Sequence, residues 1–600
     1  MCPSTRGLSY DPNGNLLSVT DARGKVTGYA PDAMDRVQTR TDPRGKPETY
    51  AYDPNGNLRT VTDRKNQPTT ITYDALDRPS QFAYADGSST TLTWDAGDRL
   101  MQVADSLSGT ITRTPDSLDR LQQEVTPQGT VTYAYDNANR RASMTVLGQP
   151  AVTYGYDAAD RLTSLTQGTA AVALAYDDAN RRTSLTLPNG VVATYGYSTR
   201  NELTNLTFMQ GSTTLGTLTY TYDAAGRRTT VGGTWARTGL PAALASATYD
   251  DANRQLTWGG QSFTYDDNGN LSGDGTNTYS WDARNRLATI SGGTVASFQY
   301  DPLGRRTWKI IAGQTTDFLY DWDNPVQELS GGVVLSNLLT GLGIDEYFTR
   351  TDGSGRRTLL GDALGSILAL TDDAGVVQTS YTYEPFGQTT VTGQANGNSL
   401  QYTGRENDGT GLYYYRARYY HPTLQRFVSE DPIGFAGGDV NLYAYVANDP
   451  LKWTDPLGLE VLNPKNLPVQ PAVLAALHAF NQYIGLCKDI VITGGDRPGD
   501  PESHGQGLAA DIKVPGQLHL LTANQAADSS LFGGVGWYEE GYYDPRDPKV
   551  GPHVHVDLRK GTFRWGHAKS GREYHGSFPR YTGPRQECPQ SQAETLSRRK

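Results

Sequence analysis

Residues 69–78 read Thr69-Thr70-Ile71-Thr72-Tyr73-Asp74-Ala75-Leu76-Asp77-Arg78, a short alternating run that ends on Tyr-Asp and passes into a polar cluster closed by arginine. The alternation suits a half-buried strand and the Asp-rich cluster suits a tight turn, so the phrase reads as one arm and corner of a β-hairpin. It recurs. Tyr10-Asp11, Tyr52-Asp53, Trp94-Asp95, Tyr135-Asp136, Tyr156-Asp157 and Tyr176-Asp177 open further copies of the form YDxxxRL or YDPNGNL. With the degenerate Pro31-Asp32, Pro115-Asp116 and Tyr197-Ser198 filling the gaps, the steps are 20 or 21 residues throughout. The register then loosens but continues through Tyr222-Asp223, Tyr249-Asp250, Tyr265-Asp266, Trp281-Asp282 and Tyr300-Asp301. A single hairpin cannot bury its apolar face, so stability has to come from neighbouring hairpins paired into a continuous sheet. The expected fold is mostly β: a long strip of paired hairpin repeats, followed by a small α+β domain.

Composition agrees. Tyr occurs 37 times, Gly 66 times and Met only 5 times, a balance that favours strands and turns over packed helices. A chain of 600 residues is too long for one core, so at least two structural units are expected. The formal net charge of -11 argues against a chain-wide nucleic-acid footprint, which needs clustered Lys and Arg, and nucleic acid is therefore not expected as a partner. No run of about 18 apolar residues or more is present, so no membrane span is expected. The first residues carry no apolar stretch of a secretory signal, and the chain begins within a repeat; export by a dedicated apparatus, or a missing upstream segment, is the expectation. Cys487 and Cys588 either pair or stay as free thiols.

The phrase series resembles the YD repeats of the Rhs family, whose strips of β-hairpins spiral into a hollow shell around a toxic C-terminal segment. The resemblance covers roughly residues 8–459. Its most specific part is Gly411-Leu412-Tyr413-Tyr414-Tyr415-Arg416-Ala417-Arg418-Tyr419-Tyr420, followed by Arg426-Phe427 and by DPIGFAGGDVNLYAYVANDPLKWTDPLGL ending at Leu459. His421 and Gln425 stand where members usually carry Asp and Gly. The repeat aromatics and aspartates are read as structural. Two Asp-Pro steps, Asp431-Pro432 and Asp455-Pro456, bracket the closing motif. The resemblance implies that these aspartates form an aspartic-protease-like pair that cuts the chain between Leu459 and Glu460. Two carboxylates brought close cannot both ionise, so one holds a proton while the other activates water. Arg426 is a candidate to position them.

Composition changes after Leu459. Seven of the eight histidines (His478, His504, His519, His553, His555, His567 and His575) lie in the last 141 residues. Histidine is the commonest metal ligand and general base, so chemistry is expected there. A Pro/Asn-rich linker leads to an amphipathic helix with Val473, Leu477, Phe480 and Ile484 on one face, and then to a short strand from Asp489 to Thr493. His504-Gly505-Gln506-Gly507-Leu508-Ala509-Ala510-Asp511 gives HxxGxAxD, and His553-Val554-His555-Val556-Asp557 gives HxH. On a strand of period two, His553, His555 and Asp557 share one face.

These elements resemble the zinc peptidases that include D-Ala-D-Ala carboxypeptidases, phage endolysins, lysostaphin-type enzymes and the Hedgehog signalling domain, over about residues 470–560. The resemblance implies a Zn2+ ion held by His504, Asp511 and His555, with His553 as catalytic acid/base and Arg497 stabilising the oxyanion or the substrate carboxylate. Glu502 and Asp496 depart from the family pattern, which bears on substrate preference. Pro552 stands where one branch carries glutamate, so the HxH branch fits better. Asp557 is placed either to accept a histidine N–H or to make a structural salt bridge. His478, His519, His567 and His575 match no family position and are read as ordinary.

The expected organisation is therefore repeats over 1–339, an Rhs-associated core over 340–459, a linker over 460–471, a zinc-peptidase core over 472–560 and a basic tail over 561–600. The expected function is a delivered toxin for interbacterial competition whose peptidase hydrolyses peptidoglycan peptide stems in the target-cell periplasm, with an immunity protein and a secretion apparatus as partners. Alternatives are a peptidase acting on a target-cell protein and a non-enzymatic, metal-dependent binding module on an adhesion shell.

Overall fold

The computed structural model describes residues 7–236 and 239–459, together with six short strands between Val491 and His575. The described chain is almost entirely β, as the repeat requires. The helix expected around Val473–Ile484 lies outside the described residues.

Each repeat is built from its own aspartate outward. Asp136 Oδ1 accepts the backbone N–H groups of Ala138 at 2.7 Å and of Arg140 at 3.0 Å, and Oδ2 accepts the Arg140 Nε–H at 2.7 Å. The backbone closes around this carboxylate, with Asp136 N donating to Arg140 O at 2.9 Å and Asn139 in the left-handed region at φ 57°. This is why Asn, Asp and Gly alternate at that place: they tolerate positive φ best. Pairing shifts by one between Ala134 and Tyr135, a bulge that recurs at each repeat's tyrosine. The links continue between repeats. Arg140 donates to Asp160 of the next turn at 2.6 Å and lies 4.5 Å from the centroid of the Tyr156 ring, while Tyr156 Oη donates to Arg141 O at 2.8 Å.

The molecule divides into two compact units. One comprises Met1–Arg64, Asp431–Leu442 and Leu459–Lys600. Its strands from Gly7–Tyr10 to Leu58–Thr62 pair antiparallel in chain order over a small core of Leu16, Val19 and Tyr29, against which Phe435 and Val440 pack. It also holds a six-stranded sheet in the order Val491–Gly494, Ala509–Lys513, His553–Asp557, Gly534–Tyr538, Phe563–His567, Glu573–His575. The last two strands fall within the stretch read from sequence as basic tail.

The second unit comprises Lys65–Glu430 and Tyr443–Gly458. Its strands from Pro68–Tyr73 to Arg228–Gly232 pair each with the next, and a 14-stranded sheet follows from Thr264–Tyr265 to Thr389–Gly393. Within this unit the chain returns alongside itself through a seam of polar contacts. Arg284 pairs with Asp105 at 2.5 Å, Arg305 with Glu124 at 2.8 Å, Arg141 with Asp321 at 2.5 Å and Arg182 with Glu346 at 2.6 Å, and Asn189 Nδ2 donates to Thr371 Oγ1 at 2.8 Å. Deeper, Arg306 is fully buried against Glu406 and Asp408, and Lys309 reaches Asp408 at 2.7 Å. The tyrosines of the motif at 411–420 are core: Tyr413, Tyr415 and Tyr420 are buried with Tyr402, Phe427 and Tyr445, and the Tyr420 and Tyr445 rings lie 4.4 Å apart.

Burial opposes ionisation of the seam carboxyls, but charged partners outweigh it. The Thr90 hydroxyl and Arg284 hold Asp105 below the usual carboxylate range, Arg305 and Arg113 do the same for Glu124, and Arg306 with Lys309 brings Asp408 down to about 2. Groups with depressed native pKa stabilise fully above the unfolded value of about 4, and that stabilisation is lost as pH falls through the native value. Thermal unfolding monitored by circular dichroism should therefore show a midpoint that declines gently below about pH 6.5, where burial keeps His421 neutral in the native chain while the unfolded chain takes up a proton, and falls steeply below about pH 4. Asp408→Asn should lower the midpoint at neutral pH, because it strips a buried pair of one partner at a cost of about 3–5 kcal/mol, and should blunt the acid slope. Gln425 adopts φ 61° where the resembled family carries glycine. A left-handed non-glycine residue costs roughly 1–2 kcal/mol, so Gln425→Gly should raise the unfolding midpoint in the same assay.

Candidate functional site

The segment that closes the shell motif is held by a hairpin. Strands Tyr413–Tyr415 and Arg418–His421 pair Tyr415 with Arg418, which leaves Arg416 and Ala417 as a two-residue turn with Arg416 at φ 58°. This turn grips residues 455–458. Arg416 donates to Pro456 O, Ala417 N donates to Leu457 O at 3.1 Å, and Arg418 Nε donates to Gly458 O at 2.5 Å. Three successive carbonyls just upstream of Leu459 are thus engaged. Gly458 is required twice over: its φ is 67°, and a Cβ there would come within 2.3 Å of Tyr415 O.

Asp455 is only 3% exposed, and its Oδ2 pairs with Arg418 Nη2 at 3.1 Å. The Arg418 guanidinium lies 3.6 Å from the centroid of the Phe427 ring, so it is charged, buried and stacked at once. Arg416 is anchored by Asp345 at 2.7 Å, and Arg405 binds the same carboxylate at 2.5 Å. Asp431, in the other unit, is also buried. Its backbone N donates to Leu442 O at 2.9 Å, and its Oδ1 accepts the Ile433 N–H at 3.0 Å.

Arg426 donates to Asn253 O at 2.6 Å and lies 4.7 Å from the Tyr443 ring centroid. Arg418, which sequence reading did not single out, pairs with Asp455. It sits inside the tyrosine-rich phrase, but nothing local distinguishes it from Arg416; only the return of residues 455–458 does. His421 fills the usual aspartate place as an acceptor: its Nδ1 takes the Leu424 N–H at 3.4 Å, and burial lowers its pKa to about 4, which keeps the imidazole neutral.

In the C-terminal sheet the two motifs meet by register. Asp511 is the direct antiparallel partner of His555, and His555 is paired on its other side with Gly536. Direct partners in a sheet stand about 5 Å apart. His553 pairs with Tyr538. His504 and Arg497 lie outside the described residues. Among the residues whose side chains are described, no group of three or more His, Cys, Asp or Glu is arranged to hold a metal.

The RHS repeat family model matches residues 10–47, 52–88 and 116–150, and the Teneurin YD-shell model matches residues 189–451. The hairpin region is an Rhs/YD-repeat shell. The chain is 32% identical over 252 residues to the tRNA3(Ser)-specific nuclease WapA of Bacillus spizizenii, covering 40% of this chain and 11% of that protein. It is 28% identical over 302 residues to the double-stranded DNA deaminase toxin A of Burkholderia cenocepacia, covering 42% of this chain and 21% of that one. The chain therefore spans between a tenth and about a fifth of the length of these relatives. The crystal structure of TcdB2-TccC3-TEV superposes with a TM-score of 0.54 at 18% identity, over 76% of this chain and 31% of that one, which shows the fold.

These relatives overturn two expectations. The zinc metallopeptidase activity, with peptidoglycan peptide as substrate, gives way because proteins sharing this shell are named for action on tRNA and on double-stranded DNA. The exclusion of nucleic acid as a partner falls with it. Charge is unevenly distributed along the chain. Residues 460–600 hold 16 of the 53 Lys and Arg but only 15 of the 64 Asp and Glu, so the acidity belongs to the shell.

Proposed function

We propose that this chain is the shell and cargo of an Rhs-type polymorphic toxin, in which hydrolysis of the Leu459–Glu460 peptide bond frees a C-terminal segment that acts on nucleic acid. The observation that carries the reading is the grip of Arg416, Ala417 and Arg418 on the carbonyls of Pro456, Leu457 and Gly458. A segment pinned in this way has already lost the freedom that a bond-breaking step would otherwise have to remove. Asp455 and Asp431 are assigned the acid and base roles. One carboxylate takes a proton from water, the water oxygen adds to the Leu459 carbonyl carbon, and the other carboxyl protonates the departing Glu460 nitrogen as the C–N bond breaks. Arg418 positions Asp455 and the Gly458 carbonyl together.

For the released segment, support comes from the named activities of relatives that share the shell and from charge. Lys560–Lys600 carries nine Lys or Arg against three Glu, an excess suited to phosphates. His504, Asp511 and His555 would hold a zinc ion, which when bound lowers the pKa of a coordinated water to about 7. His553 is assigned the proton delivered to a leaving oxygen, and Arg497 a bidentate contact to phosphate. An immunity protein that blocks this segment and an apparatus that delivers it complete the proposal. A nucleic-acid target places its action in the target-cell cytoplasm rather than the periplasm.

On a denaturing gel, wild-type chain should resolve into two pieces meeting at residue 459, while Asp455→Asn and Asp431→Asn should each run as one full-length band. Arg418→Ala should slow the cut at least about tenfold, with Arg418→Lys retaining part of the rate. A C-terminal piece of unchanged intensity in both aspartate variants would sink the cleavage assignment. In a second assay, self-cleaved protein incubated with tRNA or double-stranded DNA should degrade or modify one of them, an effect lost in His553→Ala and after chelation. Intact nucleic acid in every wild-type lane would remove the substrate assignment.

A further inference from the structure

The sheet of the C-terminal segment sorts its residues by face. Strand alternation and register put Asp511, Lys513, His553, His555, Asp557, Tyr538, Phe563, Trp565, His567, Glu573 and His575 on one face, and Ile512, Val554, Val556, Val535, Trp537, Arg564, Gly566 and Tyr574 on the other. The second set is mainly aliphatic and aromatic, with Arg564 its one charged position. The first carries four of the protein's eight histidines. Two of them, His567 and His575, have no part in the set His504, Asp511 and His555.

Register brings these two together with a carboxylate. Glu573 and His575 are two apart on the sheet's edge strand, so they share a face. His567 is the direct antiparallel partner of Glu573, and Trp565 that of His575. Direct partners lie about 5 Å apart, alternate residues of one strand about 7 Å, and diagonal neighbours at a similar distance. Two imidazoles and one carboxylate at those spacings form a His2Glu donor set, one of the combinations that hold zinc with three protein ligands. The arrangement repeats the one at the first site, where His553-Val554-His555 has Asp511 opposite His555.

One ion cannot serve both groups. The strand with His553 and His555 is separated from the edge strand by Gly534–Tyr538 and Phe563–His567. Three strand spacings are about 14 Å, whereas paired ions that share ligands sit about 4 Å apart. We propose that His567, Glu573 and His575, brought to one face at the last two strands of the described sheet, form a second binding site for a divalent transition-metal ion of the zinc class. A charged edge also discourages sheet extension, but a single charge suffices for that and does not call for two histidines beside a glutamate.

The site stands apart from the nucleic-acid reading, and its test is stoichiometric. Full-length chain stripped with chelator and dialysed against Zn2+ should take up two equivalents, measured by mass spectrometry of the metal. His575→Ala and the isosteric Glu573→Gln should each lose one equivalent, and Tyr574→Phe, on the opposite face, should lose none. Asp511→Asn should lose the other equivalent, and the combination with His575→Ala both. Wild-type chain that binds one equivalent, lost in His575→Ala but not in Asp511→Asn, would support this site while removing the first. Zinc content unchanged in both His575→Ala and Glu573→Gln would overturn the proposal, as would an equal loss in Tyr574→Phe.

Discussion

The hairpin region depends on one bonded unit, the carboxylate that opens each turn. Asp136 satisfies two backbone N–H groups and one guanidinium at once, and Asp74, Asp95, Asp157 and Asp177 do the same in their own turns. A single exposed ion pair contributes at most about 1 kcal/mol. Here the arginine is not left to find its partner. The backbone bonds that fix the aspartate fix the arginine four residues later, and the guanidinium then spans to the next turn. What would be a marginal surface contact becomes a link repeated along the strip, and this is how hairpins with little apolar surface of their own stay in register.

Local links hold one hairpin to the next but cannot make the chain return to itself. That work falls to the seam, where partners lie 164 to 182 residues apart and the charges are mostly buried. Buried pairs pay heavily for desolvation, so they add little net stability over apolar packing. Their value is that a slipped register would leave Arg284, Arg305 or Arg306 buried without a carboxylate, which is far more costly than a slipped valine. The seam thus selects one alignment among many that the repeat alone would permit.

This division explains what could be read from the sequence. The period, the strand and turn assignments and the shell were legible because Tyr73-Asp74 and its copies encode them within about ten residues. The tyrosines at 413–420 were recognisable as a motif, but their burial around Tyr445 was not, since it depends on segments far along the chain. Arg418 was invisible for the same reason. Asp511 and His555 were legible as a pair of motifs, and register brings them side by side. His567 and His575 were set aside because a motif names residues one at a time, while a sheet face gathers them across strands. Charge misleads in the opposite sense: in a whole-chain sum the long acidic shell outweighs a segment that is near neutral.

The grip on residues 455–458 ties these levels together. A two-residue hairpin turn needs left-handed backbone, and Arg416 adopts it at the expense that a glycine there would avoid. Glycine has no side chain to reach Asp345 or Pro456 O, both of which Arg416 binds. The strained arginine is thus exchanged for two anchors, and the fully paired hairpin and the tyrosine core behind it supply the stability that sustains the strain. A flexible tail offers its carbonyls to water; this one offers them to a turn whose shape is fixed by the same β-pairing that builds the shell. The end of the shell is therefore defined by backbone geometry rather than by apolar burial.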